Sequence, residues 1–88
     1  MIWIIVCKDK VGSLSRRMAV IEEHRKYLST NPIKTLVSGP LTDFDGETMN
    51  GSFFMVEADE ISEIHQFQQN DPLYNADVWE DVIISPFN

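Results

Sequence analysis

A single cysteine in 88 residues leaves no partner for an internal disulfide. That thiol, Cys7, sits inside an apolar run, where sulfur is packing rather than a nucleophile. Such sparing cysteine usage fits a cytoplasmic protein. Histidine is also scarce: His24 and His65 lie far apart, and no Cys or His cluster has metal-ligand spacing. Neither a metal nor another cofactor is therefore expected. Basic side chains are outnumbered, seven Lys and Arg against fourteen Asp and Glu, giving a net charge of −7. This balance excludes the positive field that non-specific nucleic-acid binding requires and disfavours an anionic membrane surface. No apolar run reaches the length of a membrane span. The opening Met-Ile-Trp-Ile-Ile-Val-Cys is too short for the apolar centre of a secretion signal and lacks a basic leader. With no repeat and no low-complexity segment, a single small domain over residues 1–88 is expected, thinly stable as a monomer.

What is present is a clear alternation of patterns. Residues 2–7 read as a strand with apolar side chains on both faces: Ile2, Ile4 and Val6 on one, Trp3, Ile5 and Cys7 on the other. A polar break ends at Gly12. An amphipathic helix then runs from Ser13, a candidate N-cap, to about Leu28, where Ser29-Thr30-Asn31-Pro32 stops it. Leu14, Met18, Ile21 and Leu28 form its apolar stripe. Residues 33–38 read as a second strand interrupted at Ser38-Gly39-Pro40, a bend or a sheet edge, with Leu41-Thr42 as a possible continuation. The polar loop 43–51 carries the turn signals Asp45-Gly46 and Asn50-Gly51 and leads into a third strand over 52–58, its hairpin partner. Asp59-Glu60 opens a second helix with the stripe Ile61, Ile64 and Phe67 or Gln68, leaving His65 on its exposed side. Asp71 before Pro72 reads as the N-cap of a short turn through Tyr74. Residues 78–84 form the last strand, ended by Ser85-Pro86-Phe87.

The order β-α-β-β-α-β predicts an α+β ferredoxin-like fold, an antiparallel sheet with two helices on one face. The other sheet face is left apolar and uncovered, and a second copy packed sheet to sheet as a homodimer is the simplest cover.

Four polar residues are candidates for a site: Arg17, His24, Ser38 and Asp71. Arg17 and His24 are seven apart and stack on one side of the first helix, within its apolar stripe. Either that stripe borders a pocket, or both side chains sit on its edge and snorkel to water; the pattern alone favours the edge. An aspartate that holds a histidine makes it a general acid or base near neutral pH, and an arginine can hold an anionic oxygen. Arg16, Arg25 and Lys26 read as solvated surface charges.

These residues form an ordered set: Asp9-Lys10, Ser13-Leu14 with Arg17, then His24 and Leu28, Ser38-Gly39-Pro40, Asp71-Pro72, and a tail from Val78 and Val82 to Ser85-Pro86-Phe87. The set resembles the YciI-like (YCII-related) domain family over nearly the whole chain. The resemblance implies a ferredoxin-like fold assembled as a dimeric α+β barrel. It also implies a His-Asp site at His24 and Asp71, lined by Arg17, Ser38 and Gly39. One departure is that Leu73 and then Tyr74 follow Asp-Pro, where the family often has an aromatic at once. The resemblance extends to dehydrochlorinases acting on chlorinated hydroxyhydroquinones, and the wider superfamily to muconolactone isomerases and oxygenases.

The reading is therefore a cofactor-independent enzyme acting on a small cyclic or aromatic oxygenated molecule. His24 and Asp71 would carry the proton chemistry, and Arg17, Ser38 and Gly39 would bind the substrate. The alternatives are a small-molecule binding or sensing module without turnover, and a structural dimerisation domain.

Overall fold

The strand at the middle of the sheet is β1 (Ile2–Asp9), the most apolar stretch of the chain. The computed structural model describes residues 1–88. β1 is flanked on one side by β3 (Met49–Glu57) and on the other by β4 (Trp79–Phe87), both antiparallel, with β2 (Lys34–Thr42) outside β3. The sheet order is β2-β3-β1-β4, the ferredoxin-like arrangement expected from the element order. Helices α1 (Leu14–Ser29) and α2 (Ile61–Gln69) and the short α3 (Pro72–Asn75) cover one face.

The register decides which residues meet the helices. Ile5 lies opposite Phe54 and Ile84, and Cys7 opposite Ser52 and Val82. Alternation therefore sends Ile5, Cys7, Phe54 and Val56 to the helix side, where they pack with Ile64, Phe67, Leu73 and Val78. The other face carries Ile2, Ile4, Val6, Phe53 and Met55, half-buried, together with the exposed Val37, Ile83 and Phe87. Gly51 sits where β3 passes close to β1: a β-carbon there would collide with the Cys7 carbonyl oxygen, so only glycine keeps these strands at bonding distance. No helix is long and apolar enough to cross a membrane.

Several local expectations are corrected. The inward face of α1 is Arg17, Ile21 and His24, continued by the half-buried Leu28, while Leu14 and Met18 are exposed. The helix is rotated toward its polar pair because both polar residues find buried acceptors. Ser13 does not cap α1. Its backbone (φ −96°, ψ 4°) is not extended, and its hydroxyl donates to the Lys10 carbonyl at 2.7 Å instead. Ser85-Pro86 does not end β4, whereas Ser38-Gly39-Pro40 lies on a sheet edge as expected, with β2 continuing through Leu41-Thr42. Both are edge strands, where a missing proline N–H breaks no ladder. β3 starts at Met49 rather than Ser52. The α1 stop holds as read: Asn31 takes the left-handed conformation (φ 54°) directly before Pro32.

Candidate active site

Two buried polar pairs hang from α1, one turn on either side of Ile21. The first begins where β1 ends. Asp9 faces back over the sheet and receives Arg17 in a bidentate pair, Nε to Oδ2 at 2.7 Å and Nη2 to Oδ1 at 3.0 Å. Nη2 also donates to Ser52 Oγ at 2.8 Å. The Arg17 and Asp9 side chains are only 1% and 6% exposed, so the guanidinium is an internal strut rather than a surface charge.

The second pair joins α1 to the start of α3. His24 Nδ1 lies 2.9 Å and 3.0 Å from the two Asp71 oxygens. A carboxylate only accepts, so Nδ1 is the donor, and the neutral form of such a ring carries its lone pair on Nε2. Asp71 is fully buried, and its Oδ1 also accepts the Leu73 backbone N–H at 2.9 Å, the N-cap bond of α3. The cap expected from Asp-Pro and the proposed orienter of His24 are thus one carboxylate. The His24 ring stands edge-on to Phe54, with centroids 6.3 Å apart.

Arg17 and His24 border one cleft of about 210 Å³ between α1 and the β2–β3 edge of the sheet. Ser38, Gly39 and Pro40 form its far wall, and Ile21, Leu28, Met49, Ser52 and Phe54 supply the rest. Asp71 lies behind His24, outside the lining. A β-carbon on Gly39 would meet nothing within 4 Å, so the openness there belongs to the cleft rather than to the chain's own packing.

The YCII-related domain family matches residues 1–88. The chain belongs to that family. Among its relatives, Protein YciI of Escherichia coli is 28% identical over 94 residues, covering 99% of this chain and 96% of its own. The structure of 5-chloro-2-hydroxyhydroquinone dehydrochlorinase (TftG) from Burkholderia phenoliruptrix, in complex with 2,5-dihydroxybenzoquinone, superposes with a TM-score of 0.90 at 34% identity, covering 100% of this chain and 94% of that one. An antibiotic biosynthesis monooxygenase shares only the fold, at a TM-score of 0.58 and 15% identity over 100% of this chain and 97% of its own.

Within this member of the family, Arg17, His24, Ser38 and Gly39 are brought to the cleft and Asp71 to His24. The edge reading of Arg17 and His24 is overturned: they are 1% and 8% exposed. His65 is exposed on α2 and does not border the cleft. Sequence reasoning missed three residues. Asp9 looked like a loop carboxylate and Ser52 like an ordinary strand residue, yet both hold Arg17. Arg25 was read as a solvated charge but borders the cleft while remaining half-exposed. Only the eight-residue step from Asp9 to Arg17 could have hinted at the first of these.

Cys7 behaves as inert packing. Burial first, then the negative charge of Asp71, pushes its thiol from the ordinary 9.0 up to about 12. The folded state thus keeps a proton that the unfolded chain releases above pH 9. Stability linked to Cys7 is whole below that point and is lost as pH rises toward 12. At pH 8 the native protein is expected to resist Ellman's reagent until denaturant is added. Stoichiometric labelling of the folded protein within minutes would contradict this burial.

Proposed function

We propose that the chain is an enzyme that moves protons at a small oxygenated ring, with His24 as the acid-base group and Asp71 as its orienting carboxylate. One observation carries the reading: His24 is tied through Nδ1 to a fully buried aspartate while the residue borders a cleft. A charge-balanced partner in a low-dielectric wall stabilises the imidazolium that forms when Nε2 takes a proton. The cleft is smaller than the roughly 300–1,000 Å³ of sites for drug-sized ligands, which suits a single ring. Arg17, Ser38 and Gly39 would meet the ring oxygens, Arg17 as a fixed donor and the β2 segment through its edge.

The similarity to a dehydrochlorinase suggests the reaction. His24 would take a hydroxyl proton from a chlorinated hydroquinone and return it to the carbon bearing chlorine. A second hydroxyl would then give up its proton as chloride departs with the C–Cl electron pair. The net change is loss of HCl, with the ring left as a quinone and no external oxidant needed. The test is chloride release from 5-chloro-2-hydroxyhydroquinone, together with the thermal shift given by 2,5-dihydroxybenzoquinone, in wild type and His24→Ala. Wild type is expected to release chloride and to be stabilised by the quinone, and the variant to do neither. Identical behaviour of the two proteins would sink the reading. Stabilisation of wild type without chloride release would leave a binding module.

We also infer that the open sheet face is covered by a second copy of the chain. Val37, Ile83 and Phe87 are 54%, 58% and 50% exposed beside the half-buried apolar centre of that face, a patch monomers seldom leave to water. Sedimentation equilibrium is expected to give twice the 10.1 kDa chain mass, and Ile83→Asp to halve it. A monomeric wild type would refute this.

A further inference from the structure

Two guanidinium groups border the cleft, one in a buried ion pair and one in an exposed ion pair. Arg17 is locked in the wall by Asp9 and Ser52, and its charge is neutralised where it stands. Arg25 stands at the mouth, one residue beyond His24, with 56% of its side chain exposed. Its companion is Glu22, one turn back on α1, which is 80% exposed and does not border the cleft; Arg25 Nη1 donates to Glu22 Oε1 at 2.5 Å. Exposed pairs of this kind contribute little to stability and exchange partners at little cost.

The charges around the cleft make that exchange matter. Asp9 cancels Arg17, and Asp71 stands uncancelled behind His24 whenever the imidazole is neutral. In a chain with a net charge of −7, such a site repels an anion unless another cation serves it. Arg25 is the further cation on the cleft wall. Its planar fork suits two oxygens, or one ionised oxygen and its neighbour, on a ring held against His24.

We propose that Arg25 is the specificity-determining cation of the cleft: its guanidinium leaves Glu22 and pairs with an ionised oxygen of the ligand. The site then selects enolate, phenolate or carboxylate forms over an uncharged ring of the same size. This rests on the reading of the cleft as a ligand site. It assigns to Arg17 a fixed donor's role and to Arg25 the recognition of charge.

Calorimetric titration separates the two ideas. The probes are 2,5-dihydroxybenzoquinone, ionised at neutral pH, and hydroquinone, an uncharged ring of similar size. The proteins are wild type, Arg25→Gln, Arg25→Lys, Glu22→Gln and His24→Ala, each checked for fold by circular dichroism. The wild-type preference for the anion is expected to fall about tenfold or more in Arg25→Gln, the usual weight of a charge-assisted hydrogen bond. Arg25→Lys should recover part of that loss, and Glu22→Gln should bind the anion at least as tightly as wild type. If Arg25→Gln binds the anion with the wild-type Kd while His24→Ala does not, Arg25 has no such role and the cleft reading stands. If wild type prefers neither probe, selection by charge is wrong. If it binds neither, the cleft reading falls and the role of Arg25 with it.

Discussion

Asp9→Ala is expected to lower folding stability by about 3–5 kcal/mol, a large share of the ~5–15 kcal/mol typical of a domain. The reason is the geometry of its one strong partnership. Arg17 is 1% exposed and gives both Nε and Nη2 to the Asp9 carboxylate. Removing that carboxylate leaves a guanidinium inside the fold with Ser52 Oγ as its remaining acceptor, and a neutral hydroxyl cannot balance the charge. The pair itself adds little net stability, because two ions had to be desolvated to form it; breaking it is what costs. Replacing both members, as in Asp9→Leu with Arg17→Met, should therefore recover much of the loss. Urea denaturation of the single and double variants measures both. A single-variant loss below about 1 kcal/mol would show that water or another acceptor reaches Arg17, against the burial described above. The double variant is also informative about function: if the fold returns and ligand binding does not, Arg17 serves the cleft as well as the core.

If the chain carries out the proposed dehydrochlorination, Asp71→Asn is expected to lower chloride release by about 10²–10⁴-fold while the protein stays folded. Asp71 does two things with one carboxylate. Oδ1 accepts the Leu73 N–H and caps α3, and both oxygens face His24 Nδ1. Asparagine is as good an N-cap as aspartate, so its amide oxygen keeps the bond to Leu73. The amide NH₂ then turns to His24 and needs an acceptor there. The imidazole must offer the Nδ1 lone pair, which moves its proton to Nε2 and points a donor at the cleft where a base is wanted. The fold is preserved and the base is lost. Asp71→Ala, by contrast, should lose the cap as well, at about 0.5–2 kcal/mol, and leave His24 without its acceptor. Equal turnover in Asp71→Asn and wild type would reduce Asp71 to a helix cap.

These two carboxylates also mark the border between what was legible in the sequence and what was not. The order of strands and helices was readable because its signals are local. Ile2 to Cys7 is too apolar on both faces to be anything but a central strand, Asn31-Pro32 stops a helix within two residues, and Asp71-Pro72 starts another. The inertness of Cys7 followed from the run in which it sits. The ferredoxin-like arrangement then followed from the order alone, because short connections leave few ways to pair four such strands.

The tertiary structure decided everything that depends on a distant acceptor. Taken by itself, the first helix puts Leu14 and Met18 in its apolar stripe and Arg17 and His24 on the edge, since a lone charge beside a core is costly. The folded chain reverses this. Asp9 lies eight residues before Arg17 and Asp71 lies 47 after His24, and once both carboxylates are in place the polar residues turn inward and Leu14 and Met18 turn out. The same holds for Pro86, which looks like a strand end until the topology makes β4 an edge of the sheet. Local chemistry determined the elements and the residues with chemistry to offer. The rotation of α1, the pairing of its two polar side chains and the cleft beside them were set by long-range partners, because a buried charge is tolerated only where the rest of the fold supplies its counter-charge.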